Sequence, residues 1–183
     1  MDKYDRVALK GVEAITPILE KVACDGQVRT VAGSTMEQDL QNHGVDLLLW
    51  DTKDNLLTIE VKASGPDNTN NKTVFIETIT DIVHPRLGWL HKLQVDLLAH
   101  VNIAYGMARL LRWAKFKRWF DQNIEEYRKS AIIQIDSRKS AVGYWVPWKD
   151  IALGIGRPNF GTYDLRDPDM WQGKLRDMGL IEV

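Results

Sequence analysis

The sequence has very little cysteine, since Cys24 is the only one among 183 residues. A single thiol makes no internal disulfide and no Cys-based zinc cluster, which excludes a disulfide-stapled secreted scaffold and fits a reducing compartment. No run approaches the roughly 20 apolar residues of a membrane span, and the first residues lack the apolar core of a signal peptide. We therefore expect a soluble cytoplasmic protein, or one of the host cytoplasm if the source is viral, with no membrane partner.

Several motifs of nucleotide and zinc chemistry are missing as well. There is no G-x-x-x-x-G-K-[ST] loop for ATP, and Gly154-Ile155-Gly156 alone is too weak to indicate one. The histidines match no zinc motif such as H-E-x-x-H. NTP-driven and zinc-dependent activities are therefore disfavoured, although His43 and His84 could lie near a site as phosphate donors.

The net charge of −1 leaves no basic imprint of nucleic acid on the whole chain. The two halves are electrically opposite, with 8 Lys/Arg against 14 Asp/Glu in residues 1–84 and 16 against 11 in residues 85–183. An acidic half that holds a cation beside a basic half that holds a polyanion would suit a nuclease, but chance asymmetry of this size is also common. With 44% hydrophobic residues, we expect one domain over residues 1–183.

Hydrophobic periodicity predicts an α/β protein. We expect a helix over Asp5–Ala23 that Pro17 could divide in two, a short extended segment at Val28–Val31, and a polar loop from Gly33 to Gly44. The predicted strands are Val45–Trp50, Leu56–Lys62, Thr73–Thr78, Asp96–Val101, Ile132–Ile135 and Gly143–Val146, although Asp96–Val101 could equally begin a helix. A second long helix is predicted over Met107–Tyr127. A polar surface loop, Ser64–Asn71, follows the second strand.

The first two strands form a hairpin whose turn lies near Lys53. In that register Asp46 sits opposite Glu60, with Cβ atoms about 5 Å apart. Lys62 projects from the same face because side chains alternate along a strand. Two carboxylates so close repel unless a cation or a proton intervenes, so the pattern favours a hard divalent ion.

The same residues have an ordinary interpretation, in which Glu60 and Lys62 are solvated on a half-exposed strand. The short E-x-K pattern alone favours it. The Asp46 face, however, continues as Leu48 and Trp50, so this face is predicted to be covered. Solvation explains a glutamate poorly there, and a buried carboxylate is costly without a task.

Gly44-Val45-Asp46 followed by Ile59-Glu60-Val61-Lys62 resembles the D…ExK signature of the PD-(D/E)XK nucleases, particularly archaeal Holliday-junction resolvases and small phage-type nucleases. The order of elements over about residues 5–105 is similar to that family's restriction-endonuclease-like αβββαβ core. The resemblance implies a mixed central sheet flanked by helices, with residues 106–183 as a helix and C-terminal extension. Val45 replaces the proline of the signature.

The resemblance implies that Asp46 and Glu60 bind Mg²⁺ or Mn²⁺, that the Val61 carbonyl assists, and that Lys62 positions the attacking water. Many members add a glutamate from the first helix, for which Glu13 is the candidate and Glu20 the second. Both lie opposite the apolar stripe of that helix, which favours solvated side chains. Glu77 could be an accessory residue or a plain surface glutamate.

Contacts to DNA are predicted from the second long helix. Arg112, Lys115 and Trp119 would share one of its faces, flanked by Arg109 and Arg118, and could grip phosphates and stack on a base. A solvated helix whose Trp119 meets a partner subunit is the alternative. Lys62 and Lys72 flank the polar loop, which could approach a duplex groove.

We therefore expect a Mg²⁺-dependent deoxyribonuclease, either an endonuclease or an exonuclease, that hydrolyses phosphodiester bonds with metal-activated water. Branched or structured DNA is one version of its substrate, and a homodimer would match many relatives. The alternatives are a non-catalytic DNA-binding or assembly module of the same fold and a nuclease that acts on RNA.

Overall fold

The computed structural model describes residues 3–23, 27–31, 35–50, 55–66, 70–81, 84, 86–135, 140–167 and 169–180. Its strands are β1 (Val28–Thr30), β2 (Leu47–Trp50), β3 (Leu56–Ser64), β4 (Thr73–Asp81), β5 (Arg86–Leu87), β6 (Leu97–Asn102), β7 (Met107–Arg112), β8 (Ala131–Ile135), β9 (Ser140–Pro147) and β10 (Phe160–Asp164). Its α-helices are α1 (Lys3–Val22), α2 (Thr35–Asn42), α3 (Trp89–Lys92), α4 (Trp113–Asn123), α5 (Trp148–Ile155) and α6 (Asp169–Asp177). None of the helices in these ranges is long and apolar enough to cross a membrane.

The larger sheet has six strands in the order β1-β2-β3-β6-β7-β10. Its β3–β6 pair is parallel and its other pairs are antiparallel, so the sheet is mixed. The predicted fold class, an α/β protein with a mixed sheet flanked by helices, is confirmed.

The hairpin of β2 and β3 has the predicted register. Leu47 pairs with Ile59 and Trp50 with Leu56. One residue before β2, the Asp46 amide donates a hydrogen bond of 2.9 Å to the Ile59 carbonyl. Asp46 therefore extends the ladder to a position opposite Glu60.

Side-chain alternation divides this sheet into two buried faces. Ile59 and Val61 of β3 join the core cluster that also contains residues of α1 and α6. The neighbouring Leu48 and Leu98 join a second cluster, formed with α4, α5 and the other sheet. Glu60 and Lys62 project to this second side because they alternate with Ile59 and Val61.

The smaller sheet has the order β5-β4-β9-β8. The strands predicted at Thr73–Thr78, Ile132–Ile135 and Gly143–Val146 all form, and they belong to this sheet. Thr73–Thr78 lies within β4, which pairs with β9 rather than with the hairpin. The outer neighbour of the hairpin is instead β1, the segment predicted at Val28–Val31.

Helix α1 runs unbroken through Pro17, so the expected division is absent. The Thr16 hydroxyl donates 2.8 Å to the Val12 carbonyl one turn earlier. The helix packs closely on β3 at Gly11, where an added Cβ would lie 2.6 Å from the Ala63 Cβ. This contact fixes the N-terminal part of α1 beside the strand that carries Glu60 and Lys62.

Two predicted boundaries are wrong. The segment expected to be a polar loop from Gly33 to Gly44 contains α2, whose end is closed by a hydrogen bond of 2.9 Å from the Val45 amide to the Leu40 carbonyl. The helix predicted over Met107–Tyr127 begins only at Trp113. Its first six residues form β7, in which Ala108 and Leu110 are buried on one face of the sheet, Leu111 is buried on the other, and Arg109 is buried as well.

Candidate active site

The structure brings Asp46, Glu60 and Lys62 together on one wall of a cleft of about 1020 Å³. Residues of α1, β3, β4 and α3 complete the cleft. The convergence follows from the hairpin register, which aligns the two carboxylates, and from strand alternation, which adds the amine.

The Asp46 side chain is fixed by the backbone of the neighbouring strand. It is half-buried, and its Oδ2 atom accepts a hydrogen bond of 2.7 Å from the Val61 amide. A charge-assisted bond from a backbone amide stabilises the ionised carboxylate and holds its direction. Asp46 is therefore positioned before any ligand arrives.

Glu60 is deeply buried, with 4% of its surface exposed. The pKa of Glu60 is raised from 4.5 to about 7, chiefly by burial and also by the nearby Asp46 carboxylate, while the Lys62 ammonium acts in the opposite direction. The carboxyl group thus changes charge near neutral pH. A bound cation would favour its ionised form.

Lys62 forms an ion pair with Glu60 through Nζ and Oε1. The lysine side chain is 38% exposed and the glutamate side chain 6%, so the amine lies between the buried carboxyl and the open cleft. It contacts an acidic group on one side and can meet an anion on the other.

At Gly44 the backbone passes close to the Glu60 side chain. Its φ of 80° lies in the left-handed region, which favours glycine. A Cβ built there would lie 3.3 Å from Glu60 Oε2 and 2.2 Å from Leu93 Cδ2. Gly44, which follows α2, therefore lets the backbone approach the buried Glu60 carboxylate.

Two further carboxylates line the cleft, Asp5 of α1 and Glu77 of β4. Glu77 accepts a hydrogen bond of 2.6 Å from the Thr80 hydroxyl. Glu13 and Glu20 are exposed on α1 and are not among the described residues that line the cleft. The acidic side chain that α1 brings to the cleft is therefore Asp5, where Glu13 was expected. No sequence signal singled out Asp5, which is exposed like the neighbouring Ala8.

The donor set fits a hard divalent cation. Such ions bind through one or two carboxylates and keep several waters, as Asp46 and Glu60 would allow. Within the described part of the chain no set of three or more His, Cys, Asp or Glu side chains is gathered closely enough to hold a metal. Among the described residues, Asp46 and Glu60 are therefore the pair of carboxylates that could hold a cation together with oxygen ligands from backbone or water.

The residues predicted to contact DNA do not share a helical face. Arg112 ends β7 and donates 2.6 Å to the Met178 carbonyl. On α4, Lys115 is exposed, but Trp119 packs against Phe116 and Tyr127. The expected basic face is therefore wrong, because its first residue lies on a strand and its aromatic residue lies in the core.

The remaining residues predicted to contact DNA or phosphate lie apart from the cleft. Arg109 is buried on β7, Arg118 is exposed on α4, and Lys72 is exposed just before β4. His43 and His84 are also exposed, and neither is among the described residues that line the cleft. They are not placed to act as phosphate donors there.

No family model matches the chain, and no curated protein matches it. A solved structure of a bacterial homing endonuclease, I-Ssp6803I, is similar over 64% of this chain and 74% of that one, with 13% sequence identity and a TM-score of 0.45.

Proposed function

We propose that this protein is a metal-dependent nuclease that hydrolyses DNA phosphodiester bonds. The observation that carries the proposal is the convergence of Asp46, Glu60 and Lys62 in one cleft, with Glu60 4% exposed. A buried carboxylate beside a second carboxylate is costly without a cation or a proton to compensate it. The free-energy cost of burying Glu60 beside Asp46 is explained if the two carboxylates take part in a reaction.

Asp46 and Glu60 are the residues that would hold Mg²⁺ or Mn²⁺. When bound, such an ion lowers the pKa of a coordinated water and offsets the charge of the phosphate oxygens. The protein's own contribution is to keep the two carboxylates aligned, since the Val61 amide holds Asp46 and β3 carries Glu60. Glu60, with a pKa of about 7, gives up its proton as pH rises through neutrality.

Lys62 would act on the anionic substrate. Its ammonium lies between Glu60 and the open cleft, where it can hold a phosphate oxygen or orient the attacking water by hydrogen bonding. A cation held by Asp46 and Glu60 would neutralise Glu60 and so leave Lys62 free of its ion pair for this task. The cleft of about 1020 Å³ leaves room for the strand that carries the phosphate.

The proposal is tested by incubating the purified chain with supercoiled, linear, branched and single-stranded DNA, and with RNA, in Mg²⁺, Mn²⁺ or EDTA. Cleavage of DNA that requires the metal and falls at least about 100-fold in Lys62→Ala is expected, since a charge-stabilising group of this kind contributes about 10²-fold or more. Equal cleavage by wild type and Lys62→Ala would indicate a contaminant. Binding of DNA without cleavage in any metal would favour the non-catalytic module, and cleavage of RNA alone would favour the RNA-directed nuclease.

A further inference from the structure

A second cavity of about 180 Å³ adjoins the cleft, and Lys62 lines both. Three aromatic side chains, Phe75, Trp89 and Trp145, contribute to its walls. Phe75 and Trp145 are in ring contact, with centroids 5.3 Å apart. Trp89 and Phe75 also line the larger cleft, so the two spaces share a wall as well as the lysine.

The polar residues of this cavity include Ser64 of β3 and His100 of β6. His100 is 8% exposed, and its Nε2 atom lies 3.2 Å from the Ser64 hydroxyl. Its Nδ1 atom is buried and has no hydrogen-bond partner within the described residues. A buried ring nitrogen left without a partner is costly and calls for an explanation.

His100 itself carries no positive charge that would hold an anion. Burial and the nearby Arg109 guanidinium lower the pKa of His100 to about 4, so the imidazole is neutral at pH 7. The Arg109 guanidinium is turned to Asn71, where it donates 2.6 Å to the side-chain oxygen, and it lies over the Trp148 ring. With Nε2 in contact with the Ser64 hydroxyl, the neutral imidazole keeps one unpartnered ring nitrogen, and an uncharged polar ring is the chemistry it suits.

The volume agrees with that chemistry. A protein cavity of about 150 Å³ is enough to admit benzene, so 180 Å³ accommodates one aromatic ring of similar size. Aromatic walls offer stacking surfaces to a base. A base that is paired and stacked in a duplex cannot enter such a pocket, because it must first leave the helix.

We propose that this second cavity receives one unstacked nucleobase of the nucleic acid whose phosphate lies at Asp46 and Glu60. The inference rests on the proposed function, because Lys62 connects the base pocket to the phosphate site. It specifies the substrate class as nucleic acid with an unpaired nucleotide beside the scissile bond. The pocket size favours a single-ring base, so thymine is the probe of choice.

The test compares the affinities of wild type for three fluorescein-labelled DNA duplexes that are identical except at one position. That position holds an unpaired thymine, an unpaired abasic residue or no extra residue, and anisotropy is measured in EDTA and in Ca²⁺. We expect tighter binding of the thymine probe than of the abasic probe by roughly 5- to 150-fold, the range reported for stacking of one base on aromatic side chains.

Two substitutions at Ser64 provide the matched control. Ser64→Ala leaves the cavity open and should keep most of the preference for thymine. Ser64→Leu fills the cavity and should abolish it, with little change in affinity for the fully paired duplex. His100→Phe, which keeps a ring beside Trp148 but removes both ring nitrogens, should also reduce it.

Equal affinities of wild type for the thymine and abasic probes in both buffers would overturn the inference, whatever the variants do. A folded Ser64→Leu that still prefers thymine would overturn it too. Cleavage assays on the same probes separate this failure from failure of the proposed function. A wild type that cleaves DNA with no preference for the thymine probe rejects the base pocket alone, whereas one that prefers thymine and never cleaves rejects the nuclease alone.

Discussion

Glu60 should make the metal-free protein less stable as pH rises through neutrality. Its pKa is 4.5 in the unfolded chain and about 7 in the folded protein, because burial and Asp46 outweigh Lys62. The folded state therefore binds the proton more tightly, and this contribution is fully present below pH 4.5 and is lost as pH rises through 7. Between pH 5 and pH 8 the loss amounts to about 2 to 3 kcal/mol of unfolding free energy.

His100 acts in the opposite direction over a similar range. Its pKa is lowered from 6.5 to about 4, so it costs stability as pH falls below 6.5. The two groups nearly cancel between pH 5 and pH 8, and the wild-type curve alone would mislead. Only the difference between wild type and a Glu60 variant isolates the carboxyl.

The assay is urea unfolding in EDTA at pH 5, 6, 7 and 8, for wild type, Glu60→Gln and Glu13→Gln. Glutamine keeps the shape and cannot ionise, so the free-energy difference between Glu60→Gln and wild type should shift by about 2 to 3 kcal/mol in favour of the variant from pH 5 to pH 8. Glu13→Gln, an exposed carboxylate on α1, should follow wild type throughout. Parallel curves for wild type and Glu60→Gln would refute the assignment of a raised pKa to Glu60.

Three further predictions follow from the same geometry. Gly44→Ala should lower the free energy of unfolding, measured in urea, by at least about 2 kcal/mol, because the new Cβ combines a positive φ with overlap on Leu93. The control is Gly173→Ala on α6, whose new Cβ would meet nothing within 4 Å and should not destabilise the protein. Equal effects of the two substitutions would contradict this prediction. The free-energy difference between His100→Phe and wild type should shift by about 2 kcal/mol in favour of the variant from pH 7 to pH 5, and an unchanged difference would show that His100 is not buried as a neutral ring. In differential scanning fluorimetry, Mg²⁺ should raise the melting temperature of wild type more at pH 8 than at pH 6, because the ion binds the ionised form of Glu60. The melting temperature of Glu60→Gln should not change with Mg²⁺. A rise in wild type that is independent of pH would place the cation elsewhere.

The hairpin and its register could be predicted from the sequence because both depend on local chemistry. Alternation fixes which side chains share a face, and the register implied by the assumed turn position is the one that the strands show, in which Asp46 falls opposite Glu60. The same local arguments predicted α1 and three of the four strands of the smaller sheet, β4, β8 and β9. They could not predict that β4 pairs with β9, since strand pattern does not specify the partner strand.

The error over Met107–Tyr127 has a physical cause. Residues buried on both faces of a sheet form a continuous apolar run, and periodicity does not distinguish such a run from a helix. Arg109 and Arg112 made the segment resemble an amphipathic helix. In the structure, Arg109 donates a hydrogen bond to the Asn71 side chain and Arg112 donates one to the Met178 carbonyl. The predicted basic face required these residues to be helical, so that prediction is wrong as well.

Part of the candidate active site could also be predicted from the sequence. Asp46, Glu60 and Lys62 follow from two adjacent strands, whereas Asp5 and Glu77 reach the cleft only through the packing of α1 and the placement of β4. The position of His100 beside Lys62 depends on the parallel pairing of β3 with β6, a long-range contact with no local sequence signature. Tertiary packing therefore decided which further residues join the cleft.

The most direct measurement is the single-turnover rate of DNA cleavage in Mg²⁺ for wild type, Glu60→Gln and Glu13→Gln, prepared in parallel. We predict that Glu60→Gln loses at least about 100-fold in rate, because one of the two cation-binding carboxylates is gone, while Glu13→Gln cleaves at the wild-type rate. Wild-type cleavage by a folded Glu60→Gln would contradict the assignment of this cleft as the active site.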